Sequence, residues 1–134
     1  MTFRTLLVLK AAVCLFFGIL MLAVPGPLFA LLGGTLTAAG RFAAREYAAA
    51  MIGTLFLTWF ARNIHAGDAR RAILLDLLVY DAIGVVITVA AVVSGVLGAL
   101  GWGVVAVYLF FTVGSAHVLW GRGGSVGSSS PAAA

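Results

Sequence analysis

Long apolar stretches, separated by short clusters of polar residues, occupy most of the chain between residues 5 and 120. A helix that crosses a bilayer needs about 20 mostly apolar residues. Four stretches have about this length: residues 5–24, 43–61, 71–93 and 97–120. None shows the alternation of apolar and polar positions that is typical of strands in a membrane barrel. The pattern predicts an all-α integral membrane protein with four transmembrane helices in an antiparallel bundle.

The segments outside these helices are short. The stretch "PGPLFALLGGTLTAAGR", between the first and second helices, is too apolar for an ordinary loop and too short to cross a bilayer. It predicts a short helix that lies at the membrane interface. Residues 122–134 are rich in Gly and Ser, which predicts a flexible tail. Residues 1–121 are then expected to form a single transmembrane domain.

The composition identifies the bilayer as the solvent of this bundle. Charged residues make up 9% of the chain and hydrophobic residues 63%, whereas soluble domains carry about 25% charged residues. The net charge of +4 comes from basic residues placed singly at the ends of apolar stretches. They form no basic stripe of the kind that binds nucleic acid. The expected partner is the lipid bilayer, and nucleic acid is excluded.

The distribution of arginines predicts the orientation of the bundle. Segments rich in Lys and Arg face the cytoplasm in membrane proteins. Five arginines fall at one end of a four-helix arrangement and two at the other end: Arg4, Arg62, Arg70, Arg71 and Arg122 against Arg41 and Arg45. Both termini are therefore expected to be cytoplasmic, in a protein of the cell inner membrane.

Two charged residues lie at a similar depth in the first and third predicted helices. Lys10 and Asp76 are each five residues inside a helix that starts on the same side of the membrane, about 7–8 Å deep. A lone charge at this depth is costly. We therefore expect Lys10 and Asp76 to form an ion pair that holds the first helix against the third.

Asp81 lies deeper, about 15 Å from the start of its helix. No cation occurs at that depth, so we expect a neutral carboxyl that is hydrogen-bonded inside the bundle, with contact to Lys10 as the alternative. An acid inside a membrane is also a candidate for proton or ligand binding, and Tyr80 and Tyr108 are placed to join it. A structural role and a functional role are equal alternatives for Asp81.

Polar residues at the cytoplasmic end suggest a second, hydrated cluster: Arg62, His65 and His117. Two separate histidines without a neighbouring cysteine are a weak signal for a metal, so no metal site is predicted. The chain contains no H-E-x-x-H, C-x-x-C, G-x-S-x-G or P-loop motif. No catalytic residue and no cofactor are predicted.

Small residues recur every fourth position at Gly95, Ala99 and Gly103. This spacing lets helix backbones approach closely. We interpret it as packing within the chain's own bundle, with the contact face of a homodimer as the alternative.

Several segments resemble a group of small four-helix bacterial inner-membrane proteins that are loosely similar to the DoxX-like proteins. The likeness lies in "AREYAAAMIG" and "WFAR" of the second helix, "ARRAI" and "YDAIG" of the third, and "GALGWGVVAVYL" of the fourth. It covers residues 6–120 and includes no catalytic signature. The resemblance implies an association with quinone-linked redox enzymes.

Three functions fit these observations. The favoured one is a non-catalytic accessory or structural subunit that binds a membrane-protein partner, because catalytic motifs are missing. The second is a small proton-coupled transporter that acts as a dimer through Asp81. The third is a protein that binds a quinone or another lipid-like ligand, with Asp81, Tyr80 or Tyr108 at the polar head of the ligand.

Overall fold

The computed structural model of the protein describes residues 1–65 and 67–121. This part of the chain contains five helices and no strand, which confirms the prediction of an all-helical protein. The helices are α1 (Phe3–Ala23), α2 (Pro25–Leu31), α3 (Ala38–Ala61), α4 (Asp68–Val93) and α5 (Gly101–Trp120). The predicted tail lies outside the described residues.

Local sequence signals explain where several helices begin and end. The hydroxyl groups of Thr2 and Thr37 accept hydrogen bonds from backbone N–H groups in the first turns of α1 and α3, as expected of N-cap residues. Pro25 ends α1 and begins α2, since proline fits the first turn of a helix but not its interior. The short helix predicted between the first two long helices is therefore present as α2.

Three helices are long and apolar enough to cross a membrane: α1, α4 and α5. The second predicted span, α3, is not among them. Its first turns carry Arg41, Arg45 and Glu46, which lower its mean hydropathy. The charge-free stretch from residue 47 to residue 61 covers only about 22 Å, less than the roughly 30 Å of a hydrocarbon core.

The long helices pair as two antiparallel hairpins, α1 with α3 and α4 with α5. In the first hairpin, Gly18 faces Ala48, and an added Cβ at Gly18 would lie 3.8 Å from the Ala48 carbonyl oxygen. The small side chains therefore let the two backbones approach closely. Gly95, Ala99 and Gly103 are all exposed, so the predicted packing role of these three residues was wrong. The first two precede α5 instead of lying on it.

The two hairpins contact each other at both ends of the molecule. At the end where α1 and α4 begin, eight buried residues form one apolar core: Phe3, Leu6, Leu7, Ala61, Leu74, Leu77, Phe111 and Val118. At the opposite end, the Gly98 N–H donates to the Leu32 carbonyl oxygen at 2.7 Å. Gly33 adopts a φ of +83° beside this bond, a conformation that favours glycine. The polar side chains of the interior lie between these two contacts.

Candidate functional site

Lys10 of α1 and Asp81 of α4 form a buried ion pair inside the bundle. Lys10 is 4% exposed and Asp81 is fully buried. The ammonium group also lies 4.7 Å from the ring centre of Phe111 and 5.2 Å from that of Tyr80, where it is attracted by the aromatic faces. These contacts link α1 of one hairpin to α4 and α5 of the other.

The predicted pair of Lys10 with Asp76 was wrong. Asp76 is exposed, because it lies five residues before Asp81 and points about 140° away from it around α4. The inward face of α4 instead carries Leu74, Leu77 and Asp81, at the spacing of three and four residues that defines one helix face. The acid on this face is the one that meets Lys10.

Depth along the helices explains how Lys10 reaches Asp81. α1 and α4 begin at the same end, where the Arg70 guanidinium lies 4.2 Å from the Phe3 ring centre. From these two residues, Lys10 lies about 10 Å along α1 and Asp81 about 16 Å along α4. The flexible four-carbon stem of lysine spans the difference of about 6 Å.

The carboxylate of Asp81 is only half satisfied by described residues. Its Oδ1 atom accepts the hydrogen bond from Lys10, whereas Oδ2 has no hydrogen-bond partner among them. Cys14, a free and buried thiol, follows Lys10 by one turn of α1. The ion pair of Lys10 with Asp81, together with the buried Cys14 thiol one helical turn away on α1, forms a polar cluster inside the bundle.

Three tyrosines from three helices meet beside this cluster. The hydroxyl groups of Tyr47 on α3 and Tyr108 on α5 are 2.5 Å apart, and the Tyr80 hydroxyl of α4 donates to that of Tyr47. The rings of Tyr80 and Tyr108 are 6.4 Å apart. Tyr80 and Tyr108 were candidates from the sequence, whereas Tyr47 was missed because it directly follows the charged residues of α3.

A cavity of about 300 Å³ opens next to the three tyrosines. Its walls come from α3, α4 and α5: Tyr47, Tyr80, Ile83, Gly84, Ile87, Thr88 and Tyr108. Gly84 lies directly under the Tyr108 ring, where an added Cβ would be 2.5 Å from a ring carbon. The missing side chain of Gly84 therefore gives Tyr108 its position in the wall. The cavity combines apolar surface with phenolic hydroxyl groups, so it suits a molecule with an apolar body and a small polar head.

The predicted cluster of Arg62, His65 and His117 is not formed by the contacts of the described residues. Arg62 turns back onto its own helix, where it donates to the Trp59 carbonyl oxygen and stacks 3.9 Å from the Trp59 ring centre. His65, in the loop before α4, and His117, in the last turn of α5, are both exposed. Within residues 1–65 and 67–121, no group of three His, Cys, Asp or Glu side chains could hold a metal ion.

Comparisons of the chain with protein families, with curated proteins and with solved structures found no match. The resemblance to DoxX-like proteins therefore stays a prediction from the sequence pattern.

Proposed function

We propose that the protein is a non-catalytic, membrane-embedded binding protein for a lipophilic molecule with a hydroxyl or carbonyl head. The observation that carries the proposal is the tyrosine-lined cavity between α3, α4 and α5. The head group binds at the hydroxyl cluster of Tyr47, Tyr80 and Tyr108, where the two internal hydrogen bonds leave one phenolic proton to donate. The apolar body lies against Ile83 and Ile87.

The direction of the helices supports a bundle that crosses the membrane four times. α1 and α4 begin at the same end, as the contact of Arg70 with Phe3 indicates. If both helices cross the bilayer, the chain must return between them. α3 is about 36 Å long, is packed antiparallel on α1 and is the long helix available for this return. Its charged first turns then lie at the membrane surface, opposite the arginine-rich end.

The same arrangement supports the proposed orientation. Arg4, Arg62, Arg70 and Arg71 belong to the end where α1 and α4 begin, and Arg41 and Arg45 belong to the other end. We infer from the positive-inside rule that the first end is cytoplasmic. The protein would then lie in the inner membrane of a bacterial cell with its N-terminus in the cytoplasm.

The buried ion pair weighs against the transporter alternative. That hypothesis relied on Asp81 as an acid without a cation at its depth, whereas Lys10 pairs with it. An accessory subunit stays a prediction, and a membrane protein that co-purifies with this chain would favour it over the ligand-binding proposal.

Photolabelling in membranes tests the proposed ligand site. The probe is a long-chain alcohol that carries a diazirine near its hydroxyl group. We expect its crosslinks to concentrate on the cavity walls of α3, α4 and α5, and an excess of the unlabelled alcohol to remove them. The variant Ile83→Trp, which places an indole in the cavity, should lose these crosslinks.

Val86→Trp is the matched control, because Val86 is 69% exposed on the same helix and does not line the cavity. It should keep the wild-type labelling. Crosslinks spread evenly over the lipid-facing residues of all helices, unchanged by Ile83→Trp, would contradict a binding site in this cavity.

A further inference from the structure

A second cavity, of about 370 Å³, lies where α4 begins and α5 ends. It is separate from the tyrosine-lined cavity and shares no residue with it. α4 contributes Arg70, Arg71 and Leu74, and the last turn of α5 contributes Val118, Leu119 and Trp120. The cavity therefore lies at the end of the bundle that carries most of the arginines.

The walls of this cavity divide into a cationic rim and an apolar floor. Leu74 and Val118 are buried in the core, whereas Arg71 is exposed and Arg70 is half-buried. The Arg70 guanidinium rests on the Phe3 ring at 4.2 Å, which fixes its position at the rim. A ligand that fits both parts carries a negative charge next to an apolar chain.

The start of α4 adds a further attraction for an anion. Gly67 is the N-cap residue of α4, and no side-chain hydrogen bond caps this end of the helix. The N-terminus of a helix carries the positive end of its dipole. Asp68 in the same turn opposes an anion, whereas Arg70 and Arg71 are the charged side chains among the described residues that line the cavity.

We propose that this cavity binds an anionic phospholipid, with the phosphate at Arg70 and Arg71 and the upper acyl chain against Leu74 and Val118. The apolar floor favours a lipid over free phosphate, which would leave that surface exposed to water. Trp120, which is 65% exposed at the same site, lies at the level where tryptophans of membrane proteins meet lipid head groups.

Trp120 also provides the measurement. In the variant Trp59→Phe/Trp102→Phe, Trp120 is the remaining tryptophan of the chain. We reconstitute this full-length variant into phosphatidylcholine vesicles that contain brominated phosphatidylglycerol or, at the same mole fraction, brominated phosphatidylcholine. Brominated acyl chains quench a tryptophan that they contact. We expect the anionic lipid to quench Trp120 more strongly, with a relative affinity several-fold above that of phosphatidylcholine.

Arg71→Gln should lower this preference about fivefold, the effect expected of one arginine near an anionic lipid. Arg45→Gln is the matched control, because it removes the same charge at the opposite end of the bundle, and it should keep the preference. An excess of inorganic phosphate in the vesicle buffer should leave the preference unchanged.

Three results would overturn the proposal: equal quenching by the two brominated lipids, an equal loss in Arg45→Gln and Arg71→Gln, and loss of the preference in inorganic phosphate. The last result would assign the cavity to free phosphate. If the double tryptophan variant does not fold, native mass spectrometry of the unmodified chain and of Arg71→Gln gives the same comparison. In that measurement, equal retention of phosphatidylglycerol by the two proteins would reject the site.

Discussion

Lys10 and Asp81 connect the two helical hairpins through an ion pair that is shielded from the surroundings of the bundle. The two charges come from helices α1 and α4, which belong to different hairpins. A buried pair offers little stability over apolar side chains of the same size, but it is costly to break, since the remaining charge loses its partner. We interpret the main role of the pair as determining the position of one hairpin relative to the other.

Single substitutions of the pair should destabilise the bundle more than the double substitution. Lys10→Met and Asp81→Leu each leave one buried group unpaired, and we expect each to lower the free energy of unfolding by about 3 kcal/mol. Lys10→Met/Asp81→Leu should lose much less than the sum of the two. Unfolding of the purified protein in mild detergent, titrated with a denaturing detergent, measures all three values.

Asp76→Asn is the control for this cycle, because Asp76 is exposed on the same helix. It should change the stability little, alone or combined with Lys10→Met. Additive losses for Lys10→Met and Asp81→Leu would show that the two side chains do not interact. If Asp76→Asn recovered the stability lost in Lys10→Met, the result would support the ion pair of Lys10 with Asp76 that was expected from the sequence.

The hydroxyl groups of the three tyrosines should contribute unequally. Tyr47 takes part in both hydrogen bonds of the cluster, whereas Tyr80 and Tyr108 each take part in one. At about 1 kcal/mol per hydrogen bond, Tyr47→Phe should lower the free energy of unfolding about twice as much as Tyr80→Phe. The same detergent titration measures the difference.

Combining the substitutions provides a further check on the central position of Tyr47. Once Tyr47→Phe is present, Tyr108→Phe should cause less loss than it does in the wild-type protein, because its bond is already gone. Equal losses for all three single variants, adding up without coupling, would contradict the central position of Tyr47.

The all-helical fold and three of the four predicted spans could be predicted from the length of the apolar stretches. The sequence did not predict which face of each helix points into the bundle. Nearly every position of α1 is apolar, so hydropathy does not distinguish the face that carries Leu7, Lys10 and Cys14 from the opposite one. On α4, in contrast, the spacing of Leu74, Leu77 and Asp81 on one helix face was a usable signal.

The site was only partly predictable for a similar reason. Comparing depths from predicted helix starts assumed that side chains meet at equal heights, whereas Lys10 reaches along its neighbours to Asp81. The roles of Tyr47 and Gly84 depend on contacts between side chains of different helices, α3 with α5 and α4 with α5. Composition and periodicity carry no information on such contacts.

The return of the chain through α3 can be tested with single cysteines in a Cys14→Ser background. Thr35→Cys precedes α3 and Asn63→Cys follows it, and both positions are exposed. We expect a membrane-impermeant maleimide to label Thr35→Cys in spheroplasts, whose outer face is accessible, and Asn63→Cys after the membrane is opened. The crossing of α3 predicts that the two cysteines lie on opposite sides of the membrane, and the arginine bias predicts which of them is external.

Ser94→Cys, in the exposed turn after α4, serves as the reference for the outer face. It should behave like Thr35→Cys. Labelling of Thr35→Cys and Asn63→Cys from the same face would show that α3 does not cross the membrane. Labelling of Asn63→Cys alone from the outside would show that the orientation is opposite to the one proposed.

Gly84→Ala should displace Tyr108 and change the tyrosine-lined cavity without changing its chemistry. The new methyl group would lie 2.5 Å from a carbon of the Tyr108 ring, a contact that forces the ring to move.

Gly103→Ala on α5 is the matched control, since an added Cβ there meets nothing within 4 Å. Both substitutions replace glycine by alanine inside a helix, which favours the helix by about 1 kcal/mol. We therefore expect Gly103→Ala to be neutral or stabilising, and Gly84→Ala to lose stability and the photolabelling of the cavity walls. The detergent titration and the crosslinking pattern measure the two effects separately. If Gly84→Ala matched Gly103→Ala in both, the close approach of α4 to the Tyr108 ring would not determine the shape of the site.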